Sequence, residues 1–305
     1  MPSLIDIRRR IRSVKNTRQI TKAMKMVSAA KLRRAQDRAL ASRPYATMMN
    51  RVLTHVARAA ATEDPVDFPL LMKREEKRVQ VIVVTSDRGL AGAFNANLLR
   101  MAQRFIDERS GAEVRIEAIG RKGRDYFRKR GFNLTGEHIG DLEKPQYSKA
   151  AEIADKMVDQ YRKAEVDGVY LAVNEFKSVM APNVVLKKIL PVELPAEDAK
   201  KNQAKNDRGK TEENREEPDR IDYIYGQPPD ELLRALLPRY VEMEIYRAML
   251  ESNSAEHAAR MTAMDTASSN AGEVIDTLTL EMNRVRQASI TREIIEIVSG
   301  AAAAG

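Results

Sequence analysis

Residues 261–285, MTAMDTASSNAGEVIDTLTLEMNRV, carry the most informative pattern in the chain. Its apolar and small residues recur in alternating steps of three and four, and a repeat near 3.5 residues is typical of a coiled-coil seam. Since Ser and Ala alternate with larger residues in this repeat, we expect a narrow seam of moderate stability. The seam positions are Met261, Met264, Ser268, Ala271, Ile275, Leu278, Met282 and Val285.

Long helices are predicted at both ends of the chain. Residues 239–298, which follow Pro238, contain no Pro and a single Gly, Gly272. Residues 4–61 contain no Gly and one Pro, Pro44, which we expect to kink the first helix. Apolar side chains recur at helical spacing along this first segment. They are Ile7, Ile11, Val14, Met24 and Val27, with Ile20, Ala23 and Ala30 beside them.

The middle of the chain has a different pattern. VQVIVVT, residues 79–85, is a short β-branched run typical of a strand buried on both faces. Further strands are predicted at 114–119, 169–173 and 184–192, separated by helical segments that end near 108, 130 and 164. Strands that alternate with helices indicate an α/β layer whose sheet is at least partly parallel.

Chain order then predicts the architecture. The first helix enters the central domain at its C-terminal end and the last helix leaves the domain at its N-terminal end, so a pair of these helices must run antiparallel. The predicted fold class is α/β: a long antiparallel two-helix coiled coil formed by the N- and C-terminal helices plus a central Rossmann-like α/β domain, with the rod planted in a globular base. Its predicted parts are a coiled-coil helix at 1–61, the α/β domain at 75–195, a flexible charged insertion at 196–220, and a C-terminal segment at 221–305 whose main helix spans about 239–298.

Composition limits the possible chemistry. The 305 residues include no Cys, which excludes disulfides, thiolate metal sites and cysteine nucleophiles. The net charge of +8 is uneven, because residues 1–45 have 13 Lys/Arg and two acids (13 − 2 = +11) while residues 239–298 have six Arg and ten acids (6 − 10 = −4). No apolar run approaches the length of a membrane span, so we expect a soluble or peripheral protein.

A candidate phosphate-binding turn follows the first strand, where Gly89 and Gly92 precede Asn95. The full dinucleotide pattern is absent, since Asp87 stands where the pattern needs a glycine and its charge opposes a phosphate. We therefore interpret these glycines mainly as a tight turn with close packing. The three histidines have no partners at metal-ligand spacing, and we find no credible catalytic constellation.

The C-terminal end is unusually apolar. Residues 289–305 contain three charged side chains together with several Ile, Val and Ala residues. By the antiparallel geometry this end is the tip of the rod, where exposed apolar surface predicts a covering partner.

Three long stretches, taken together, resemble the gamma subunits of F-type ATP synthases, and the likeness spans nearly the whole chain. They are IRRRIRSVKNTRQITKAMKMV at 7–27, TSDRGLAGAFN at 85–95 and RQASITREIIEIVSGA at 286–301. The resemblance implies a non-catalytic central shaft that couples proton-driven rotation of the c-ring to conformational cycling of the beta subunits in an alpha3beta3 hexamer. It implies as partners the alpha and beta subunits, the epsilon subunit and the c-ring, with the membrane contacted only through the c-ring and no nucleic acid.

The resemblance also assigns residues. Arg286, Gln287 and Thr291 match the family's contact with a catch loop of the hexamer. The resemblance further implies a hydrophobic bearing tip and a basic shaft face. It implies no cofactor on this chain, because ATP, ADP and Mg bind the alpha and beta subunits, and a peripheral location at the cytoplasmic face of a bacterial inner membrane. The tip residues are Ile290, Ile294, Ile297 and Val298, and the basic residues are Arg8, Arg9, Lys15, Lys22 and Lys25.

The chain departs from the family pattern at two places, and we consider two other functions. The 196–220 insertion is longer than we expect for a bacterial member, and Ala91 stands where many relatives have Cys. One alternative is a dinucleotide-binding oxidoreductase, which leaves both long helices unexplained. The other is a basic coiled-coil protein that binds nucleic acid, which the high positive charge permits but no base-reading module supports.

Overall fold

A computed structural model of the chain describes residues 3–60, 68–178, 181–193 and 226–304. The predicted insertion at 196–220 lies outside these residues. The chain divides into two compact units. The first, which we call the coiled-coil unit, comprises Met1–Lys31, Leu90–Gly92 and His257–Gly305, and the second, the α/β unit, comprises Leu32–Gly89 and Ala93–Glu256.

The described elements follow the predicted alternation of helices and strands between two long helices. In chain order they are α1 (Leu4–Ala60), β1 (Arg78–Val84), α2 (Phe94–Asp107), β2 (Glu113–Ile119), α3 (Arg121–Arg128), β3 (Leu134–His138), α4 (Tyr147–Arg162), β4 (Gly168–Ser178), β5 (Ala181–Leu190) and α5 (Pro229–Ala304).

The α/β unit is built on a five-stranded sheet with strand order β3-β2-β1-β4-β5. β1 pairs parallel with both β2 and β4, β2 pairs parallel with β3, and β5 runs antiparallel to β4. The sheet is therefore mostly parallel and Rossmann-like, as predicted. Parallel sheets need cover on both faces, which explains the β-branched run of β1.

The residues of β1 alternate between two cores. Val79, Val81 and Val83 face a cluster built with α2 and α3. Ile82 and Val84 face a larger cluster built with α4 and with the parts of α1 and α5 that belong to this unit. Both faces of the sheet are thus covered by helices, and six of the seven β1 residues are buried.

In the coiled-coil unit, α1 and α5 pair antiparallel. Lys25 contacts Asp265, Thr21 contacts Ser268 and Arg18 lies beside Gly272, so rising numbers on α1 meet falling numbers on α5. Beyond these contacts, Ile7 and Ile11 form an apolar cluster with Ile275, against which Val14, Leu278, Met282 and Val285 pack. The predicted seam of α5 is confirmed.

The predicted stripe on α1 is wrong in its second half. Ile20 and Val27 are exposed, whereas Thr21 and Ser28 are buried. Alternating steps of four and three residues lead from Ile7 to Thr21 and Ser28. Since this repeat decides which side of α1 faces α5, the larger apolar residues Ile20 and Val27, which do not follow it, face solvent.

The start of the last helix also differs from the prediction. α5 begins at Pro229 and continues through Pro238. Proline is favourable at a first helical position, and Asp230 and Glu231 stabilise the first turn through the helix dipole. The cost of Pro238 is offset because Leu233, Leu237 and Val241 are almost completely buried.

Candidate functional site

The turn after β1 is held by its own side chains. The backbone N–H of Ser86 donates to Asn95 Oδ1 (3.0 Å), and the Ser86 hydroxyl donates to the carbonyl of Arg88 (2.6 Å). Asp87 accepts from the backbone N–H groups of Arg121 (2.9 Å) and Gly140 (3.0 Å). Asp87 thereby binds the first N–H group of α3 and joins the turn to the loop after β3.

Two glycines near this turn serve close packing. Gly120 has φ +96°, and a Cβ there would lie 1.9 Å from the Thr85 carbonyl oxygen. Gly92 has φ +55°, and its Cβ position is 3.7 Å from the side chain of Ala263 in α5. The positive φ of Gly92 agrees with our interpretation of a tight turn, but a Cβ at Gly89 would make only an ordinary contact, 3.9 Å from Lys122 Cε, so close packing there is not seen.

A buried ionic cluster, which sequence reasoning missed, lies under β2. Glu117 is fully buried and accepts from Thr135 Oγ1 (2.7 Å), Lys156 Nζ (2.8 Å) and His138 Nε2 (2.8 Å). Gly136 lies against this carboxylate, with its Cβ position 1.9 Å from Glu117 Oε1. The cluster joins β2, β3 and α4, and Glu117, an acid in the middle of a strand, was its only sequence signal.

The electrostatics of this cluster favour an ionised carboxylate. Burial alone would raise the pKa of Glu117, but the hydrogen bonds from His138, Lys156 and Thr135 outweigh it and hold the pKa below its ordinary value of 4.5. Lys156 is bound further by donating to the Thr135 carbonyl (2.8 Å). These partners of Glu117 and Lys156 all belong to β2, β3 and α4, so we interpret the cluster as a structural element that joins the sheet to α4.

The middle of the coiled-coil seam is polar. The hydroxyls of Thr21 and Ser268 are 2.6 Å apart and share a hydrogen bond. Next along the pair, Lys25 Nζ donates to Asp265 Oδ1 (2.5 Å). In the other direction the Arg18 guanidinium packs over Gly272, 3.6 Å from its Cβ position.

The structure brings most of the predicted basic residues onto one surface. Arg8, Arg9, Lys15 and Lys22 are exposed on α1, and Arg8, Lys15 and Lys22 are seven residues apart and so share one side of the helix. Lys25 is different, because its ion pair with Asp265 is made within the chain.

The predicted contact residues near the end of α5 are all exposed. Arg286, Gln287 and Thr291 lie on the helix surface, and the Thr291 hydroxyl donates to the Gln287 carbonyl (2.9 Å). The one-turn spacing places Gln287 and Thr291 side by side. Arg286 precedes Ile290 by one turn, at the head of the apolar residues that follow.

Those apolar residues form an exposed stripe. Ile290, Ile294, Ile297 and Val298 have exposed fractions of 49%, 54%, 72% and 61%. Steps of four and three align Ile290, Ile294 and Ile297 on one side of the helix. Exposed isoleucines at this density indicate a surface that a partner covers.

The predicted residues therefore form two separate surfaces in the coiled-coil unit, one basic on α1 and one mixed polar and apolar on α5. Within the described ranges, no group of three potential metal ligands occurs. A search of the same ranges finds no helix that is both long and apolar enough to span a bilayer.

A groove between α2 and α3 is the second feature that sequence reasoning missed. It has a volume of about 860 Å³ and is lined by residues of both helices, including Arg100, Lys122 and Tyr126. No sequence pattern links these residues, because only the packing of the two helices brings them together.

Comparison with known proteins agrees with this geometry. A family model described as ATP synthase matches residues 3–304. The chain is 58% identical to the ATP synthase gamma chain of Solibacter usitatus, over all of both chains, and 49% identical to that of an Anaeromyxobacter species, over 99% of each.

Solved structures give the same fold. A chain of the central stalk and c-ring structure of the Tetrahymena thermophila mitochondrial ATP synthase matches with a TM-score of 0.57 and 25% identity, over 82% of this chain and 99% of that chain. A chain of the Euglena gracilis mitochondrial ATP synthase matches with a TM-score of 0.63 and 18% identity, over 98% and 94%.

A mostly parallel five-stranded sheet combined with a long antiparallel helix pair defines a rotary-stalk type of protein. The chain belongs to the family of ATP synthase gamma chains. A gamma chain is a non-catalytic, peripheral subunit of the synthase, so the dinucleotide-binding and nucleic-acid alternatives are not favoured.

Proposed function

We propose that this chain is the central rotary shaft of an F-type ATP synthase, coupling proton-driven rotation of the c-ring to conformational cycling of the beta subunits in the alpha3beta3 hexamer. The observation that carries the proposal is the asymmetry of the antiparallel helix pair: one side of α1 exposes Arg8, Lys15 and Lys22, and α5 continues beyond the start of α1 as an exposed apolar stripe.

Unlike sides are what coupling requires. A partner shifts a conformational equilibrium only through different affinities for its states. Three identical beta subunits around one asymmetric rod meet three different surfaces, so each is biased toward a different conformation. Turning the rod then moves each site through binding, synthesis and release.

We assign the basic side to acidic surfaces of the beta subunits. Charges there set register and orientation more than affinity. Arg8, Arg9, Lys15 and Lys22 are available for this role. We give Lys25 a smaller share, because its ammonium group already binds Asp265 at 2.5 Å.

We assign the end of α5 two roles. Arg286, Gln287 and Thr291 present exposed hydrogen-bonding groups for a catch loop of the hexamer. The apolar stripe that begins at Ile290 runs in a hydrophobic bearing, where few directional bonds break at each step.

The remaining partners follow from the same assignment. The α/β domain rests on the c-ring and contacts the epsilon subunit, so the membrane is reached only through the c-ring, at the cytoplasmic face of a bacterial inner membrane. ATP, ADP and Mg bind the alpha and beta subunits, and this chain supplies no ligand for them.

Replacement of Gln287 by Leu tests the coupling role. The side chain is exposed, so the fold should persist while the hydrogen bonds to the catch loop are lost. Coupling energies of 1–3 kcal/mol correspond to about 5- to 150-fold, so we expect ATP synthesis in inverted membrane vesicles to fall at least about fivefold.

Gln146→Leu is the matched control, because Gln146 is exposed in the α/β unit and should leave synthesis unchanged. Immunoblotting of the washed vesicles for alpha and beta subunits verifies equal assembly. Unchanged synthesis with Gln287→Leu at equal assembly would count against the role of this residue.

A further inference from the structure

The groove between α2 and α3 has an apolar floor and a cationic rim. Leu99 (7% exposed), Ala96 and Tyr126 form the floor. Five cations surround it, Arg100, Arg104, Lys122, Lys129 and Arg130, together with two acids, Asp107 and Asp125, for a net charge of 5 − 2 = +3.

Both acids are already engaged. Asp125 is paired with Arg124 at 2.7 Å, and Asp107 accepts from Gln103 Nε2 at 2.8 Å. In the described part of the chain, Arg100, Arg104, Lys122 and Lys129 make no ion pair. A net positive charge around an apolar floor favours an occupant that brings both negative charge and apolar side chains.

The aromatic floor residue is poorly placed for base stacking. The Arg130 guanidinium lies 3.5 Å from the centroid of the Tyr126 ring, and the Phe127 ring packs edge-on against Tyr126 at 5.1 Å. Single-stranded nucleic acid binds through open aromatic faces as well as positive charge, and here one face of the ring is covered by the cation.

We propose that the α2–α3 groove is a docking site for an acidic amphipathic helix of a partner protein. Apolar side chains of that helix enter the floor at Leu99 and Ala96, and its carboxylates meet Arg100 on one bank and Lys122 on the other. The site lies in the α/β unit and includes none of the α1 and α5 residues to which we assigned contacts with the hexamer, so its test and the Gln287→Leu test can fail separately.

The test uses the purified full-length chain and a fluorescent helical peptide of about four turns, with Leu at three- and four-residue spacing and Glu elsewhere. Binding is followed by fluorescence anisotropy. The peptide should bind saturably, and the double charge reversal R100E/K122E should weaken it at least about tenfold. The matched control K144E/R162E changes the net charge equally at exposed positions outside the groove and should bind as the unaltered chain does.

Two comparison ligands separate the alternatives. A peptide of identical composition with its Leu residues dispersed around the helix should bind at least about tenfold more weakly, because it has no apolar side for the floor. The affinity for a single-stranded DNA of similar charge should fall less with R100E/K122E than the affinity for the peptide does. Circular dichroism checks that each variant is folded. If R100E/K122E does not fold, A96W is used instead, because its indole fills the floor of the groove.

Absence of peptide binding would overturn the proposal. So would equal binding of the dispersed peptide, equal weakening by K144E/R162E, or DNA binding that is as tight and as sensitive to R100E/K122E. Because ATP synthesis by the Gln287→Leu variant does not involve this groove, failure here leaves the proposed shaft function unaffected.

Discussion

The sheet of the α/β unit and the seam of the coiled-coil unit are stabilised very differently. In the sheet, Ile82, Ile116 and Leu171 are fully buried between two layers of helices. In the seam, Ile7, Ile11 and Ile275 are the buried members of a small cluster, and farther along the pair Thr21 and Ser268 replace apolar contacts with a hydrogen bond. The difference indicates that the sheet supplies its own stability, and we expect the seam to gain part of its stability from partners.

The polar middle of the seam reinforces this interpretation. An exposed ion pair such as Lys25–Asp265 contributes only tenths of a kcal/mol. A hydrogen bond between hydroxyls contributes about 1 kcal/mol. Such contacts fix the register of the two helices, but they add little to the free energy of unfolding.

The largest expected difference comes from the same substitution at two positions. Ile82→Ala should lower the free energy of unfolding of the α/β unit by about 3–4 kcal/mol, because a cavity opens in a closed core. Ile275→Ala should lower that of the coiled-coil unit by only about 2 kcal/mol, because the narrow seam loses buried apolar area without a closed cavity.

Urea unfolding separates the two effects because the chain has no Trp and the seven Tyr among the described residues all lie in the α/β unit. Tyrosine fluorescence therefore reports on that unit, while far-ultraviolet circular dichroism reports on helices of both. Ile82→Ala should shift the fluorescence transition and Ile275→Ala should not. Equal losses at both positions would break the comparison.

A smaller effect is expected from Glu117→Gln. The substitution keeps the shape of the side chain but removes the charge that binds Lys156 and His138, so the α/β unit should lose about 2 kcal/mol near neutral pH. Urea unfolding followed by tyrosine fluorescence measures it.

The stabilisation by Glu117 should depend on pH. The pKa of Glu117 is lower in the folded chain than its ordinary value of 4.5, so its stabilisation is complete above that value and is lost as pH falls through the folded pKa. The stability difference between the unaltered chain and Glu117→Gln should therefore shrink below about pH 4.5. Glu152→Gln, at an exposed ion pair with Lys149, is the control with little effect expected. A difference that grows as the pH falls would contradict the account.

Much of the fold was predictable because its signals are local. The β-branched run of β1 and the 3.5-residue repeat of α5 each extend over enough residues to exceed chance. β3 was missed because LTGEH has neither alternation nor an apolar run, and it becomes a strand only by pairing with β2.

The candidate site was predictable only in part. Arg286 and Gln287 came from a family resemblance, whereas the apolar end was evident from composition alone. These residues lie exposed on one helix, and their contacts remain predictions. The Glu117 cluster and the α2–α3 groove depend on residues from separate elements, and no local pattern places such residues together.

Amide hydrogen exchange tests the central claim most directly, because it reports the local free energy of opening. It is to be measured on the isolated chain and on its assembly with alpha and beta subunits. We predict that amides of β1 are strongly protected in both states, and that amides around Thr21 and Ser268 exchange quickly in the isolated chain and become protected on assembly. Seam amides as protected as β1 in the isolated chain, or unprotected in the assembly, would contradict the account.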